Sequence, residues 1–118
     1  MSDDWYARPV ICVRDTQASL AFYRDRLGFA EAWRYEEEGR LLIAQVDRQG
    51  CEFILSQQWP DRAGQGLMFI SLDEGVLDAA VAEFEGNGVT VEPGRWGYDL
   101  RVVTDPDGNR LMFPLPAD

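Results

Sequence analysis

Any chemistry in this chain has to come from carboxylates, guanidinium groups, two thiols and aromatic rings, because its 118 residues include no histidine. That composition removes the usual general base, the Ser-His-Asp nucleophile system and the commonest metal ligand. Cys12 and Cys51 lie far apart, form no CxxC motif and have no imidazole to generate a thiolate. Cys12 therefore reads as packing or lining rather than as a nucleophile. What remains is binding chemistry. Glu52 can pair with a ligand cation, or with Arg8 or Arg110 across a sheet, since a buried carboxylate needs a partner. Trp5, Trp33, Trp59 and Trp96 offer planes suited to flat, cationic or heteroaromatic ligands, or else fill the core or a subunit interface. Trp33 and Trp96 are the two expected at a ligand.

The charge balance supports the same class of chemistry. Eleven basic and 21 acidic residues give a net charge of −10. A nucleic-acid binder needs a basic footprint and this chain has none, whereas a cationic small molecule is permitted. The same acidity also serves solubility. Residues 1–8 are polar and acidic and do not read as a signal peptide. No apolar run approaches the ~18 residues of a membrane span. Two unpaired thiols in such a chain fit a reducing, cytoplasmic compartment.

Around these residues the hydrophobic pattern places short elements. Residues 8–13 read as a strand, with Pro9 near its start, where a missing N–H is tolerated. Asp15 or Thr16 caps a helix whose stripe is Leu20, Tyr23 and Leu27, widened by Phe22 and ended by Gly28. Strands follow at 29–35, 41–46 and 51–57, separated by turns at 36–39 and 48–50. Residues 58–65 lack periodicity and serve as a linker. A strand at 67–72 leads to a helix opened by Asp73 or Glu74, with Val76, Ala80, Val81 and Phe84 on its buried face. Gly86-Asn87-Gly88 closes that helix, and strands at 89–91, 98–104 and 110–114 complete the chain. Pro106 and Gly108 make the last loop a turn.

The order β-α-β-β-β thus occurs twice, at about 7–57 and about 66–116, within one domain spanning 1–118. Asp15 corresponds to Asp73, Leu27-Gly28-Phe29 to Asn87-Gly88-Val89, and Asp47-Arg48-Gln49-Gly50 to Asp105-Pro106-Asp107-Gly108. Neither half alone buries enough apolar surface to be stable, so the two must pack together. Strand alternation splits the side chains into two faces. Ile11, Val13, Phe53, Leu55, Met68, Ile70, Leu72, Leu111 and Phe113 share an apolar parity expected under the helices. Arg8, Val10, Cys12, Glu52, Ile54, Ser56, Leu67, Phe69, Ser71, Arg110, Met112 and Pro114 share a mixed parity suited to a ligand.

The ordered set Pro9-Val10-Ile11-Cys12-Val13-Arg14-Asp15, Ser19, Phe22-Tyr23, Leu27-Gly28-Phe29, Trp96-Gly97-Tyr98 and Asp105-Pro106-Asp107-Gly108-Asn109 resembles the vicinal-oxygen-chelate superfamily. That superfamily includes glyoxalase I, extradiol dioxygenases and bleomycin-resistance proteins. The resemblance implies an α+β fold, two β-α-β-β-β modules forming an open, cup-shaped mixed sheet, and a homodimer with ligand sites in the cups. Its metal-dependent members resemble one another in four His, Glu or Gln ligands. Those positions land here on Arg8, on Glu52 or Ile54, on Leu67 and on Met112. Arginine does not give up its proton, leucine has no donor atom, and a thioether does not suit oxygen-loving ions. The Pro9-Val10 opening is also more similar to the bleomycin-resistance branch.

The expectation is therefore a metal-independent protein of that branch, without a cofactor. It sequesters an amphipathic or cationic drug or metabolite against Trp33, Glu52, Phe69, Trp96, Met112 and Cys12. The alternative is a divergent lyase, isomerase or dioxygenase, or a metal-free enzyme using Glu52 as base. A third possibility is a partner-binding module whose tryptophans lie exposed. Fold alone does not choose among them.

Overall fold

The computed structural model describes residues 4–115. Residues 1–3 and 116–118 fall outside it, and with them the first residues of the polar N-terminal stretch and the expected last residue of the second module. The elements run β1 (Val10–Cys12), α1 (Thr16–Ala21), β2 (Ala30–Glu37), β3 (Arg40–Arg48), β4 (Cys51–Ser56), β5 (Leu67–Phe69), α2 (Glu74–Gly86), β6 (Val91–Arg95), β7 (Asp99–Thr104) and β8 (Arg110–Pro114). They form two four-stranded sheets ordered β1-β4-β3-β2 and β5-β8-β7-β6. The β1–β4 and β5–β8 pairs are parallel and the remaining pairs antiparallel. This is the doubled β-α-β-β-β, α+β architecture expected from the sequence.

Local chemistry explains most element boundaries. The Asp15 carboxylate caps α1 by accepting the Ala18 N–H at 3.2 Å. The helix continues as a single π-helical turn, Phe22–Arg26, which places Tyr23 and Leu27 fully in the core. Glu38-Gly39 and Gln49-Gly50 each put two successive residues at positive φ (52° and 78°; 49° and 83°). That is the backbone of a type I′ hairpin turn, which matches the strand twist.

Four expectations need correction, the first being the strand expected at 67–72, which ends at Phe69. The buried face of α2 is Leu77, Ala80 and Phe84, and Val76 is exposed. An apolar residue adjacent in sequence lies about 100° away around a helix, so choosing Val76 over Leu77 rotated the stripe. The strand assigned to 89–91 begins at Val91 and runs through Pro93 to Arg95. Pro93 is tolerated within it because β6 is the edge of its sheet, the place where a strand proline is found. The linker contains a short 3-10 turn, Pro60–Arg62.

The expected inner parity is the buried one. Ile11, Val13, Phe53, Leu55, Met68, Leu111 and Phe113 join Leu20, Tyr23 and Leu27 of the first helical segment and Leu77, Ala80 and Phe84 of α2 in one core drawn from both modules. Polar ties cross the same boundary. Arg48 makes a two-pronged pair with Glu83 at 2.8 and 2.9 Å, and Arg14 meets Asp107 at 3.0 Å. The deepest tie is at Tyr23, whose hydroxyl donates to Asp105 Oδ2 at 3.0 Å.

Burial, followed by the neighbouring Asp105 charge, pushes the Tyr23 phenol well above its ordinary pKa of 10.0. Above pH 10 the unfolded chain gives up this proton while the fold keeps it. Stability should then fall by about 1.4 kcal/mol per pH unit until the folded phenol ionises. Burial likewise raises the Cys51 thiol from 9.0 to about 11, adding a loss in the same direction from pH 9. Urea titrations between pH 8 and 11 should show this decline. It should be flattened above pH 10 in Tyr23→Phe, and flattened between pH 9 and 11 in Cys51→Ala. A pH-independent midpoint would contradict the assignment.

Candidate functional site

Each sheet turns one face to the shared core and leaves the other facing away from it. On the first sheet, the register aligns Trp33, Gln45, Ile54 and Val10 in one row and Tyr35, Ile43, Ser56 and Cys12 in the next. Asp47 and Glu52 pair in a third row, and the parallel register continued by two residues brings Arg8 beside them. Of the two candidates left open for the second ligand position, Glu52 and Ile54, Glu52 is the one that stands beside Arg8.

This face is organised by hydrogen bonds. Gln45 Oε1 accepts from Arg8 Nη1 at 2.5 Å and from Trp33 Nε1 at 2.8 Å. Gln45 Nε2 donates to Asp47 Oδ1 and to Glu52 Oε1, both at 2.8 Å. The Tyr6 hydroxyl also donates to Glu52 Oε1. That bond raises the Tyr6 phenol above its ordinary pKa, since ionising it would place a phenolate against the carboxylate. The Arg8 guanidinium stands over the Tyr6 ring, 5.2 Å from its centre. Glu52 therefore takes neither Arg8 nor Arg110 as its direct partner. It is held by Tyr6 and Gln45, and its Oε2 is unengaged among the described residues.

The second sheet presents a different surface. Phe69, Met112, Val102 and Glu92 form one row, and Leu67, Arg110 and Thr104 the next. Trp96 and Tyr98 flank the tight turn between β6 and β7. Their rings meet Phe69, edge-on for Trp96 at 5.5 Å and tilted for Tyr98 at 6.3 Å. Leu100, paired with Pro114 on this parity, is buried yet stands outside the main core. The result is an aromatic and thioether surface in which Phe69 (43%) and Trp96 (64%) stay open to solvent.

All six residues expected at a ligand lie on these core-opposed faces: Trp33, Glu52 and Cys12 on the first sheet, and Phe69, Trp96 and Met112 around the second. Cys12 and Met112 are half-buried. None of the tryptophans fills the core: Trp5, Trp33, Trp59 and Trp96 are all exposed. Tyr6, Asp47, Tyr98 and above all Gln45 join these faces without having stood out as candidates in the sequence. The signal for Gln45 was its position as the lone polar residue in Leu41-Leu42-Ile43-Ala44-Gln45-Val46. An open depression of about 360 Å3 beside the start of α1, lined by Arg14, Gln17, Arg40 and Gln57 among others, shares no residue with either face.

The residues at the resembling enzymes' ligand positions do not fit a divalent cation. Arg8 is a permanent cation already bonded to Gln45, Leu67 offers only carbon, and Met112 offers a soft sulfur. Glu52 alone is one carboxylate where such an ion needs several oxygen or nitrogen donors. Among the described residues no cluster of three or more His, Cys, Asp or Glu side chains forms a cation cage. No helix among them is long and apolar enough to cross a membrane.

A sequence profile described as Glyoxalase/Bleomycin resistance protein/Dioxygenase superfamily matches residues 5–113. Comparison with curated protein sequences finds no match. Several solved structures share the fold. TnmS3, an antibiotic binding protein from Streptomyces sp. CB03234, is 21% identical with a TM-score of 0.76, over 99% of this chain and 100% of that one. The bleomycin-binding protein of Streptomyces verticillus, complexed with copper(II)-bleomycin, is 22% identical with a TM-score of 0.74, over 99% and 100%. A lactoylglutathione lyase from Agrobacterium tumefaciens is 19% identical with a TM-score of 0.70, over 97% and 96%. At these identities the likeness shows a common fold.

Proposed function

This chain belongs to the Glyoxalase/Bleomycin resistance protein/Dioxygenase superfamily, and we propose that within it the chain is a metal-independent small-molecule-binding protein of the bleomycin-resistance type. It sequesters an amphipathic or cationic drug or metabolite. The ligand's cation is taken by Glu52 beside Trp33, and its flat apolar part by Phe69, Trp96 and Met112, with Cys12 lining the first sheet. The whole chain acts as one domain, modules 7–57 and 66–116 joined by 58–65. It works in the cytoplasm as a homodimer whose cups hold the ligand, and antibiotic resistance is the role that follows. The observation that carries this reading is the pairing of lost donors with kept binding groups. Arg8, Leu67 and Met112 stand where a metal enzyme needs ligands, while unpacked aromatic rings and a poised carboxylate line the same faces. Antibiotic- and bleomycin-binding proteins among the structural neighbours support it.

Purified protein should gain thermal stability from bleomycin, copper(II)-bleomycin or ethidium, a planar aromatic cation. Ligand at a hundred times its Kd adds about 2.7 kcal/mol, a shift of several degrees in Tm. If none of the three shifts Tm, the drug-binding reading is lost. An enzymatic reading keeps one specific support. Among the described residues Glu52 Oε2 is unengaged and open to a substrate proton, and a lyase lies among the structural neighbours. Turnover of a thiol-adduct substrate that disappears in Glu52→Gln would favour it.

A further inference from the structure

We infer that Gln45 is the positioning and specificity-determining residue of the first-sheet site; the ligand side of this inference rests on the binding function proposed above. A glutamine on a strand face that opposes the core would ordinarily reach water. Gln45 is only 4% exposed, and it fills the hydrogen-bonding capacity of its amide with four different side chains.

The two ends of the amide do opposite work. Oε1 collects donors, the Trp33 indole and the Arg8 guanidinium. Nε2 supplies donors to the Asp47 and Glu52 carboxylates. A primary amide places two acceptor sites at one end and two donors at the other, and all four are used here, so the orientation of Gln45 is fixed by its four neighbours and in turn fixes them. Two consequences reach the ligand. Trp33 is pinned through its only polar atom, which sets the angle of its ring on an exposed strand. Glu52 is held by neutral donors, from Gln45 and Tyr6, instead of being neutralised by Arg8. Both of those bonds fall on Oε1, so among the described residues Oε2 keeps a full acceptor for an N–H of an ammonium or guanidinium ligand. The site thereby selects a cation with an N–H donor next to a flat surface.

Isosteric variants separate the halves of this device. Gln45→Glu keeps an oxygen acceptor for Trp33 and Arg8 but cannot donate to Asp47 or Glu52. Gln45→Met keeps the volume and loses both functions. The readout is the indole N–H resonance of Trp33 in protein labelled at its tryptophans, identified by its disappearance in Trp33→Phe. The inference expects that resonance to stay near its wild-type position in Gln45→Glu and to shift with faster hydrogen exchange in Gln45→Met, the other indole signals remaining in place. An unmoved Trp33 signal in folded Gln45→Met would overturn the inference, as would equal shifts in both variants. If Gln45→Met does not fold, the Gln45→Glu spectrum still decides, since loss of the Trp33 position there contradicts the accepting role. Ethidium affinity should drop about tenfold or more in Gln45→Met, and undiminished affinity would remove the specificity role. Failure of wild-type protein to bind ethidium would count against the ligand reading, whereas the indole signal tests the positioning of Trp33 without any ligand.

Discussion

Asp105→Ala is expected to lower stability by about 3–5 kcal/mol. Asp105 is 4% exposed, and its two oxygens accept five hydrogen bonds. Oδ1 accepts the backbone N–H groups of Asp107, Gly108 and Asn109 at 2.9, 3.0 and 2.8 Å, which closes the β7–β8 loop. Oδ2 accepts from Tyr23 at 3.0 Å and from Asn109 Nδ2 at 2.9 Å. Asn109 in turn donates to the Cys12 carbonyl at 3.1 Å and accepts the Gly66 N–H at 2.7 Å.

One carboxylate therefore ties the last hairpin, the first helical segment, β1 and the start of β5 together. Alanine leaves the buried Tyr23 phenol, one N–H of the Asn109 amide and the backbone N–H groups of Asp107 and Asn109 short of an acceptor, while the Gly108 N–H keeps the Asp105 carbonyl at 3.0 Å. Each orphaned donor costs about 1–3 kcal/mol in isolation, reduced where water or relaxation reaches it. Thermal unfolding should show Tm down by roughly 10–20 °C. Asp105→Asn should lose less, because its oxygen still serves the loop while its amide opposes the Tyr23 hydroxyl. Asp99→Ala, which breaks an exposed pair with Arg95, should change Tm little. A loss in Asp105→Ala no greater than in Asp99→Ala would contradict this role.

The second large effect is on binding. The double change Phe69→Ala, Trp96→Ala should weaken ethidium by roughly ten- to thirtyfold, since each ring–ring contact contributes about 0.5–1.5 kcal/mol and 1.4 kcal/mol is tenfold. The two rings touch at 5.5 Å, so their contributions should fall short of additive. Both are already exposed, so truncating them should leave Tm close to wild type. The pairing of lost affinity with kept stability is what distinguishes a ligand platform from core. Titration of ethidium fluorescence, beside a melt of the same sample, reads both. Unchanged affinity would move the ligand off the second sheet.

The fold was legible because its signals are local and repeated. Asp15, Gly28, Gly50 and Gly108 act where their types said they would: a cap, and glycines at positive φ of 74°, 83° and 106°. Strand alternation was equally plain, since a one-residue slip of β4 would turn Phe53 and Leu55 out of the core together. The misplaced elements have specific causes. Pro93 sits in a strand only because β6 is an edge, a fact of sheet order invisible in sequence. Val76 and Leu77 are adjacent apolar residues, and only the direction of the core chooses between them.

The candidate site was half legible. Parity put Glu52, Phe69 and Met112 on the faces opposed to the core, where the structure has them. Partners such as Tyr6 and Gln45 lie 46 and 7 residues from Glu52, and no periodicity links them. Asp105 was read as a turn residue, and its larger role needed Tyr23, 82 positions away.

The central claim is binding without a metal. It is tested most directly by elemental analysis of protein purified without chelator, coupled to ethidium titration before and after EDTA. The expected result is divalent metal well below one ion per chain and the same Kd in both titrations. A stoichiometric divalent ion whose removal abolishes binding would contradict it, and would require Arg8, Leu67 and Met112 to be bypassed by donors other than those on the two faces.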